Sequence, residues 1–497
     1  YKDHSNGMWI GTHNKGLYRD KPFLQNFEFI YLRDQANQNI LRLDQRYYLS
    51  KAKLDDFLWI GSRNKGLIQY DLNDQSFKQF KHDPKDVSTI SSENVGPICI
   101  DIMGNFWVGT NHGLNLFDPK KDTNNGHFTL QKELKEAGLG YCQNIEVGRD
   151  SGTLWIAGRN GAGLFYYNYI TKDIHRIRQI KRPFPLLMSQ NGDLWVGTNL
   201  EGLFKVSGSY PDFKVEKVFY GNIRSIYEST DRIIWFSTYH NGIYSIDSTG
   251  GTIKNFSQED GLHSNTVWSI LEDDYKNLWL FSPSGLTRFN PKNESFKNFV
   301  KPIWNNTRTL NYWNSAIKGK DGYFYMPDKD RIVKFHPDSI QLNTIPPKMV
   351  FTNFQLSNKD VKIGKNELLK QSIAYTKEIE LNHNQNNITI EFVGLHYENP
   401  EQIEYEYQMD GIDEAPVIGK QRLARYPKLP SGHYQFWVKA ANPDGLWSEA
   451  IQLKITILPP WWATWWAYTI YFSSIFGLVY AGYRFQLGHR LAEAEAN

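Results

Sequence analysis

Residues 265–299 read NTVWSILEDDYKNLWLFSPSGLTRFNPKNESFKNF, and four strands separated by turn signals can be marked on them directly. TVWSIL is one strand, EDDYKN a polar turn, LWLFS a second strand, PSG a tight turn, LTRFN a third strand and SFKNFV a fourth. We call these strands A to D. Alternation along LWLFS and LTRFN sends successive side chains to opposite faces of a sheet, which leaves Trp279 free to fill the gap to a neighbouring sheet.

The same pattern of a hydrophobic residue, Trp, a hydrophobic residue, small residues and a Gly-containing turn surrounds Trp9, Trp59, Trp107, Trp155, Trp195, Trp235 and Trp279. An eighth, degenerate copy is YFYMPDKDRIVKFHP, with Phe324 or Tyr325 where Trp stood. The spacings of 50, 48, 48, 40, 40 and 44 residues are those of a four-stranded propeller blade, not of a helical repeat. Gly66, Gly113, Gly163, Gly202, Gly242 and Gly285 close the B–C turns, where a positive φ is required.

Composition agrees with a β-rich chain. The 497 residues suggest two or three domains, and the 16 Trp, 29 Tyr, 29 Phe and 38 Gly favour sheets and turns over helical bundles. With 56 Lys and Arg against 53 Asp and Glu, the net charge of +3 offers no field for nucleic acid, which we do not expect as a partner. Cys99 and Cys142 are too few for a disulfide framework and lack zinc-site spacing. Their pairing is open from the sequence.

The repeat resembles the regulator-propeller repeats in the sensor halves of bacterial two-component proteins, and NTVWSILEDDYKNLWLFSPSGLTRFNP follows that pattern closely. KNFSQEDGLHSN resembles the connector between blades of that family, and the likeness covers about two-thirds of the chain. A seven-bladed propeller over 21–345 is expected. Residues 1–20 then belong to the last blade of a preceding propeller, or Trp9 lies on a strand that closes this ring.

After Pro346-Pro347 the Trp repeat stops. About seven strands over 346–458, among them KMVFTNFQL, NITIEFVGL, IEYEYQMDG, HYQFWVKAAN and IQLKITIL, predict an immunoglobulin or fibronectin-like sandwich. The stretch from PSGHYQFWVKAANPDG onward resembles the triple-tyrosine (Y_Y_Y) domain that follows regulator propellers, with Tyr405, Tyr407 and Tyr434 at its tyrosine positions. The loop from Gly411 to Ala424 departs from it by lacking a Trp.

Trp461 to Tyr483 is a run without a charge, long enough as a helix to span a bilayer, with Trp461, Trp462, Trp465 and Trp466 at one end and Tyr480 and Tyr483 at the other. A single transmembrane helix over 461–483 is expected. Arg484 and Arg490 follow it, so the positive-inside bias places the β domains in the periplasm and 484–497 in the cytoplasm, as the start of a signalling helix. We expect the chain to be the middle of a longer protein held in the inner membrane.

No HExxH, phosphate-binding loop, nucleophile elbow or CxxC pair is present, and we expect no catalytic residues, cofactor or metal. Asp101, Glu228, Glu272 and Asp273 sit at the ends of A strands, where turn chemistry explains them better than a catalytic pair. The B–C turns carry Arg63, Asn64, Asn111, His112, Arg159, Asn160, Asn199, Tyr239 and His240, groups able to hydrogen-bond and stack on a polar oligosaccharide. Each of these also suits a solvated turn.

The resemblance implies the ligand-sensing region of a membrane histidine kinase or hybrid two-component regulator, detecting oligosaccharides and signalling through a homodimer paired by the Y_Y_Y domain and the helix. The alternatives are a membrane-anchored scaffold for protein partners and a propeller enzyme acting on glycans.

Overall fold

Each Trp repeat folds into one antiparallel sheet because its hydrophobic strands alternate and its turns are built from Asp, Asn and Gly. The computed structural model describes residues 8–13, 16–19, 26–33, 41, 47–49, 57–119, 121, 126–247, 251–283, 285–300, 316–328, 331–340, 345–365, 367–397, 400–443 and 445–495. Within Phe23–Gln341, one of two compact units, lie seven four-stranded sheets. Blades 1 to 6 take their strands in chain order from 47–80, 95–130, 142–177, 183–219, 223–256 and 269–300. Blade 7 joins Ile317–Lys318, Phe324–Asp328 and Arg331–Phe335 to Glu28–Ile30, a strand from some 300 residues earlier.

That last strand closes the ring. It pairs antiparallel with Arg331–Phe335 through Phe29↔Val333, and the Arg331 guanidinium lies 3.9 Å from the centre of the Phe29 ring. The strand at Trp9–Thr12 does not do this; among the described residues it pairs with Gly16–Arg19 in a separate two-stranded sheet. The closing strand carries no Trp motif, so the repeat could not point to it.

Apolar clusters fill the gaps between successive sheets, and one with Leu49, Ile60, Ile317, Tyr325 and Ile332 joins blade 7 back to blade 1. The repeat Trp is the main wedge in these gaps. Trp59 packs edge-on against Phe106 of blade 2, Trp155 against Phe213 of blade 4, and Trp235 against Phe289 of blade 6. Tyr325 occupies the corresponding place in blade 7 and is 1% exposed.

The small residues after Trp have an equally direct cause. The next blade's innermost strand passes so close that a Cβ on Gly61 would lie 2.5 Å from the Gly96 carbonyl oxygen, and one on Gly109 would lie 2.7 Å from Cys142 Sγ. The following Thr or Ser then ties the B–C turn. Thr198 Oγ1 donates to the Gly202 carbonyl at 2.9 Å and accepts from the backbone N–H groups of Glu201 and Gly202. Cys99 and Cys142 are both buried and neither forms a disulfide, and burial raises the Cys142 pKa.

The other unit comprises Tyr1–Pro22 and Leu342–Asn497. Its sandwich packs a four-stranded sheet, ordered Lys359–Asp360, Lys348–Leu356, Ile388–Leu395 and Leu423–Tyr426, on a five-stranded one built around Gly432–Ala441 and Ile451–Ile457. Phe354, Phe392, Tyr405, Phe436 and Leu453 lie in its core. Tyr405 is fully buried with its hydroxyl accepting from the Gly394 N–H at 3.2 Å, and Tyr434 donates to the Pro430 carbonyl at 2.9 Å. These tyrosines act as structural pins.

Most of the uncharged run lies in the helix Trp465–Glu495, which follows a 3₁₀ turn at Trp461–Ala463, but the expectation of a membrane span is corrected: among the described residues no helix is long and apolar enough to cross a membrane. Lack of charge is not apolarity. Trp465, Trp466, Tyr468, Tyr471, Ser473, Ser474, Tyr480 and Tyr483 bring polar groups that dilute the hydropathy of the run.

Candidate functional site

The B–C turns are held against the connectors that enter each innermost strand. The N–H of Asn111 donates to the Asn94 carbonyl at 3.2 Å, that of Arg159 to Tyr141 at 3.0 Å and that of Tyr239 to Asn222 at 3.1 Å. One face of the ring therefore carries both sets of residues as a fixed surface.

The candidate residues divide into two kinds. Arg63, Asn64, His112, Arg159, Asn160, Tyr239 and His240 are exposed. His112 Nδ1 lies 3.1 Å from the Ser91 carbonyl, and the Arg159 guanidinium sits 5.2 Å from the centre of the Tyr141 ring. Asn160 has φ of 57°, a turn conformation that Asn tolerates. Asn111 and Asn199 are half-buried, and the Oδ1 atom of each is sealed from solvent with no hydrogen-bond partner among the described residues.

Two residues missed in the sequence extend the surface at blade 5. Asn222 Oδ1 is a third buried acceptor of this type, and Arg224 stacks its guanidinium 4.4 Å from the centre of the Tyr239 ring. Tyr239 also meets His240 edge-on at 4.2 Å. Burial lowers the Arg224 pKa, an effect that the nearby Tyr239 opposes. Arg224 stands directly before Ser225 as Trp268 stands directly before Ser269, so a cation at that strand position was the available signal.

The acids on the A–B turns have structural partners. Asp101 Oδ1 accepts from the N–H groups of Met103 and Asn105 while Oδ2 takes the Trp107 indole proton at 2.9 Å. Asp273 repeats this with Tyr275, Asn277 and Trp279. Glu228 Oε2 accepts from the Gln190 N–H and Glu272 Oε2 from the N–H and hydroxyl of Thr230, each bracing the turn of the preceding blade. No acid and base face each other among these four.

The triple-tyrosine pattern on the sandwich decides the domain type. Residues 396–458 match the Y_Y_Y domain. Over 89% of its length the chain is similar to histidine kinase P4 of Formosa agariphila, at 28% identity over 484 residues. It spans only 34% of that kinase. A solved structure of the extracellular domain of BT4673, assigned to a hybrid two-component system of B. thetaiotaomicron, aligns with 93% of this chain and 63% of its own at 18% identity and a TM-score of 0.48. That of BT3049, assigned likewise, aligns with 92% of this chain and 97% of its own at 14% identity and a TM-score of 0.29. Tyr405 and Tyr434, the structural pins described above, lie inside the Y_Y_Y domain.

Proposed function

We propose that the chain is the extracytoplasmic ligand-sensing region of a membrane two-component histidine kinase, and that its propeller binds oligosaccharides on the face formed by the B–C turns. A seven-sheet ring followed by a Y_Y_Y domain, in a chain 28% identical to a histidine kinase over 89% of its length, carries this reading. Asn, His, Arg and Tyr on rigid turns supply directional hydrogen bonds and a stacking surface, which is what a polyhydroxylated ligand requires. In this reading residues 1–20 end a preceding propeller, 21–345 sense, 346–458 transmit, and the chain itself catalyses nothing.

The helix Trp465–Glu495 exposes Phe472, Ile475, Phe476, Leu478 and Val479, apolar side chains that need a cover. We place a second copy there, so that the sensor is a homodimer paired through helix and Y_Y_Y domain. Ile451–Ile457 reaches the helix through Pro459-Pro460, whose φ angles are fixed, and the 3₁₀ turn Trp461–Ala463, a connection of seven residues. A ligand preferring one dimer geometry would shift the helices.

Calorimetric titration of the purified chain with a panel of neutral and uronate-containing hexasaccharides tests the binding claim. Saturable binding of a panel member is the expected result, and turnover of a glycan by the purified chain would contradict it.

A further inference from the structure

We infer that the carbohydrate site lies on blades 4 and 5 alone, formed by Asn199, Leu200, Tyr220, Asn222, Arg224 and Tyr239. This rests on the reading of the propeller as a glycan sensor and adds where on the ring the sugar binds and by what chemistry. The segments bearing these residues touch one another. A Cβ on Gly197 would fall 2.8 Å from Ile223 Cγ2, and one on Gly202 would fall 3.0 Å from the Tyr220 Cα. These contacts bring the blade 4 turn, with Asn199 and Leu200, against the connector that holds Tyr220 and Asn222. The Asn222 carbonyl then accepts from the Tyr239 N–H at 3.1 Å, and Tyr239 carries Arg224 on its ring.

Two features gather in this sector, although a third buried asparagine acceptor, Asn111, lies on the turn of blade 2. Leu200 is 73% and Tyr220 79% exposed, with Tyr239 at 38%, so apolar and aromatic side chains stand in solvent, whereas the turns of blades 1 to 3 present Arg63, Asn64, His112, Arg159 and Asn160. Beside them the Oδ1 atoms of Asn199 and Asn222 are buried acceptors with no donor among the described residues. An acceptor sealed in this way gains a partner when its half-buried side chain rotates toward the surface, where a hydroxyl or amine from outside can reach it. A sugar ring offers both halves of the match, an apolar C–H face for the tyrosines and hydroxyl donors at its edge for the asparagines.

The test takes the purified chain and the same hexasaccharide panel, ranked by saturation-transfer NMR, with the strongest binder measured by calorimetry. Tyr220→Ala and Tyr239→Ala should each weaken binding about tenfold. Tyr220→Phe and Tyr239→Phe keep the ring and should bind as wild type, which separates stacking from misfolding. Tyr275→Ala, which removes an exposed tyrosine from an A–B turn of blade 6, should also bind as wild type. If the panel member binds the double variant R63A/N64A poorly and the Tyr220→Ala and Tyr239→Ala variants normally, the assignment to blades 4 and 5 is overturned while the glycan reading stands. If wild type binds no panel member, both are overturned.

Discussion

The Trp107 indole nitrogen donates to Asp101 Oδ2 at 2.9 Å, tying the second strand of blade 2 to the turn six residues earlier. Trp279 and Asp273 repeat the bond at 2.8 Å in blade 6. In blades 4 and 5 the turn closes with the same backbone bonds, Ser189 N–H to the Asp193 carbonyl and Ser229 N–H to the Ile233 carbonyl, but serine replaces the aspartate. The indole nitrogens of Trp195 and Trp235 are left buried with no partner among the described residues.

Reciprocal exchange should therefore move stability in opposite directions. Ser229→Asp gives the Trp235 indole an acceptor and should stabilise the propeller by about 1 kcal/mol, whereas Asp101→Ser removes the carboxylate that four donors share and should cost about 1–3 kcal/mol. Urea unfolding followed by Trp fluorescence measures both. A stabilising Asp101→Ser would contradict the account of the turn.

Asp101 also makes an acid-labile contribution. Burial would raise its carboxyl pKa, but hydrogen bonds from Trp107, Tyr169 and Asn105 outweigh burial and hold it below the usual carboxylate value. A depressed folded pKa means that the stabilisation is present above the unfolded value of about 3.9 and is lost as pH falls through the folded one. The difference in urea midpoint between wild type and Asp101→Asn should shrink on going from about pH 6 to about pH 3. A difference that stays constant over that range would sink the assignment.

Close approach between blades gives a third expectation. Gly61→Ala must push its methyl against the Gly96 carbonyl, a backbone atom that cannot rotate away, whereas Gly11→Ala meets nothing within 4 Å. The first should destabilise by about 1–3 kcal/mol and the second by less than about 0.5 kcal/mol. Equal effects would show that blades 1 and 2 are not packed this tightly.

Much of this architecture was legible because the Trp, the small residue two positions on and the turn Gly each answer one packing demand, repeated at blade period. Glu28–Ile30 was not legible, since three residues with no motif pair with Arg331–Phe335 from the far end of the ring. The helix was legible as a helix, but counting charges overlooked the polar groups of its Trp, Tyr and Ser residues. The turn residues Asn199 and Tyr239 could be picked out by their place after Trp. Asn222 and Arg224 lie off the Trp motif; a cation where Trp268 stands in blade 6 was the one signal for Arg224, and the fold brings both to the Tyr239 turn beside their own strand.

Ring closure by that short strand is itself open to test. Phe29→Pro deletes the ring that the Arg331 guanidinium covers and fixes φ in a three-residue strand, and should lower the stability of the propeller by about 1–3 kcal/mol. Unchanged unfolding of this variant in urea would mean that Glu28–Ile30 does not hold blade 7.

The central claim is that the propeller senses a glycan for a kinase, and ligand-dependent autophosphorylation of the intact protein in lipid vesicles tests it most directly. The hexasaccharide that binds the purified chain should change the rate of phosphate incorporation from ATP, and Tyr220→Ala should shift that response to about tenfold higher concentrations. A kinase rate indifferent to a glycan that demonstrably occupies the propeller would contradict the account.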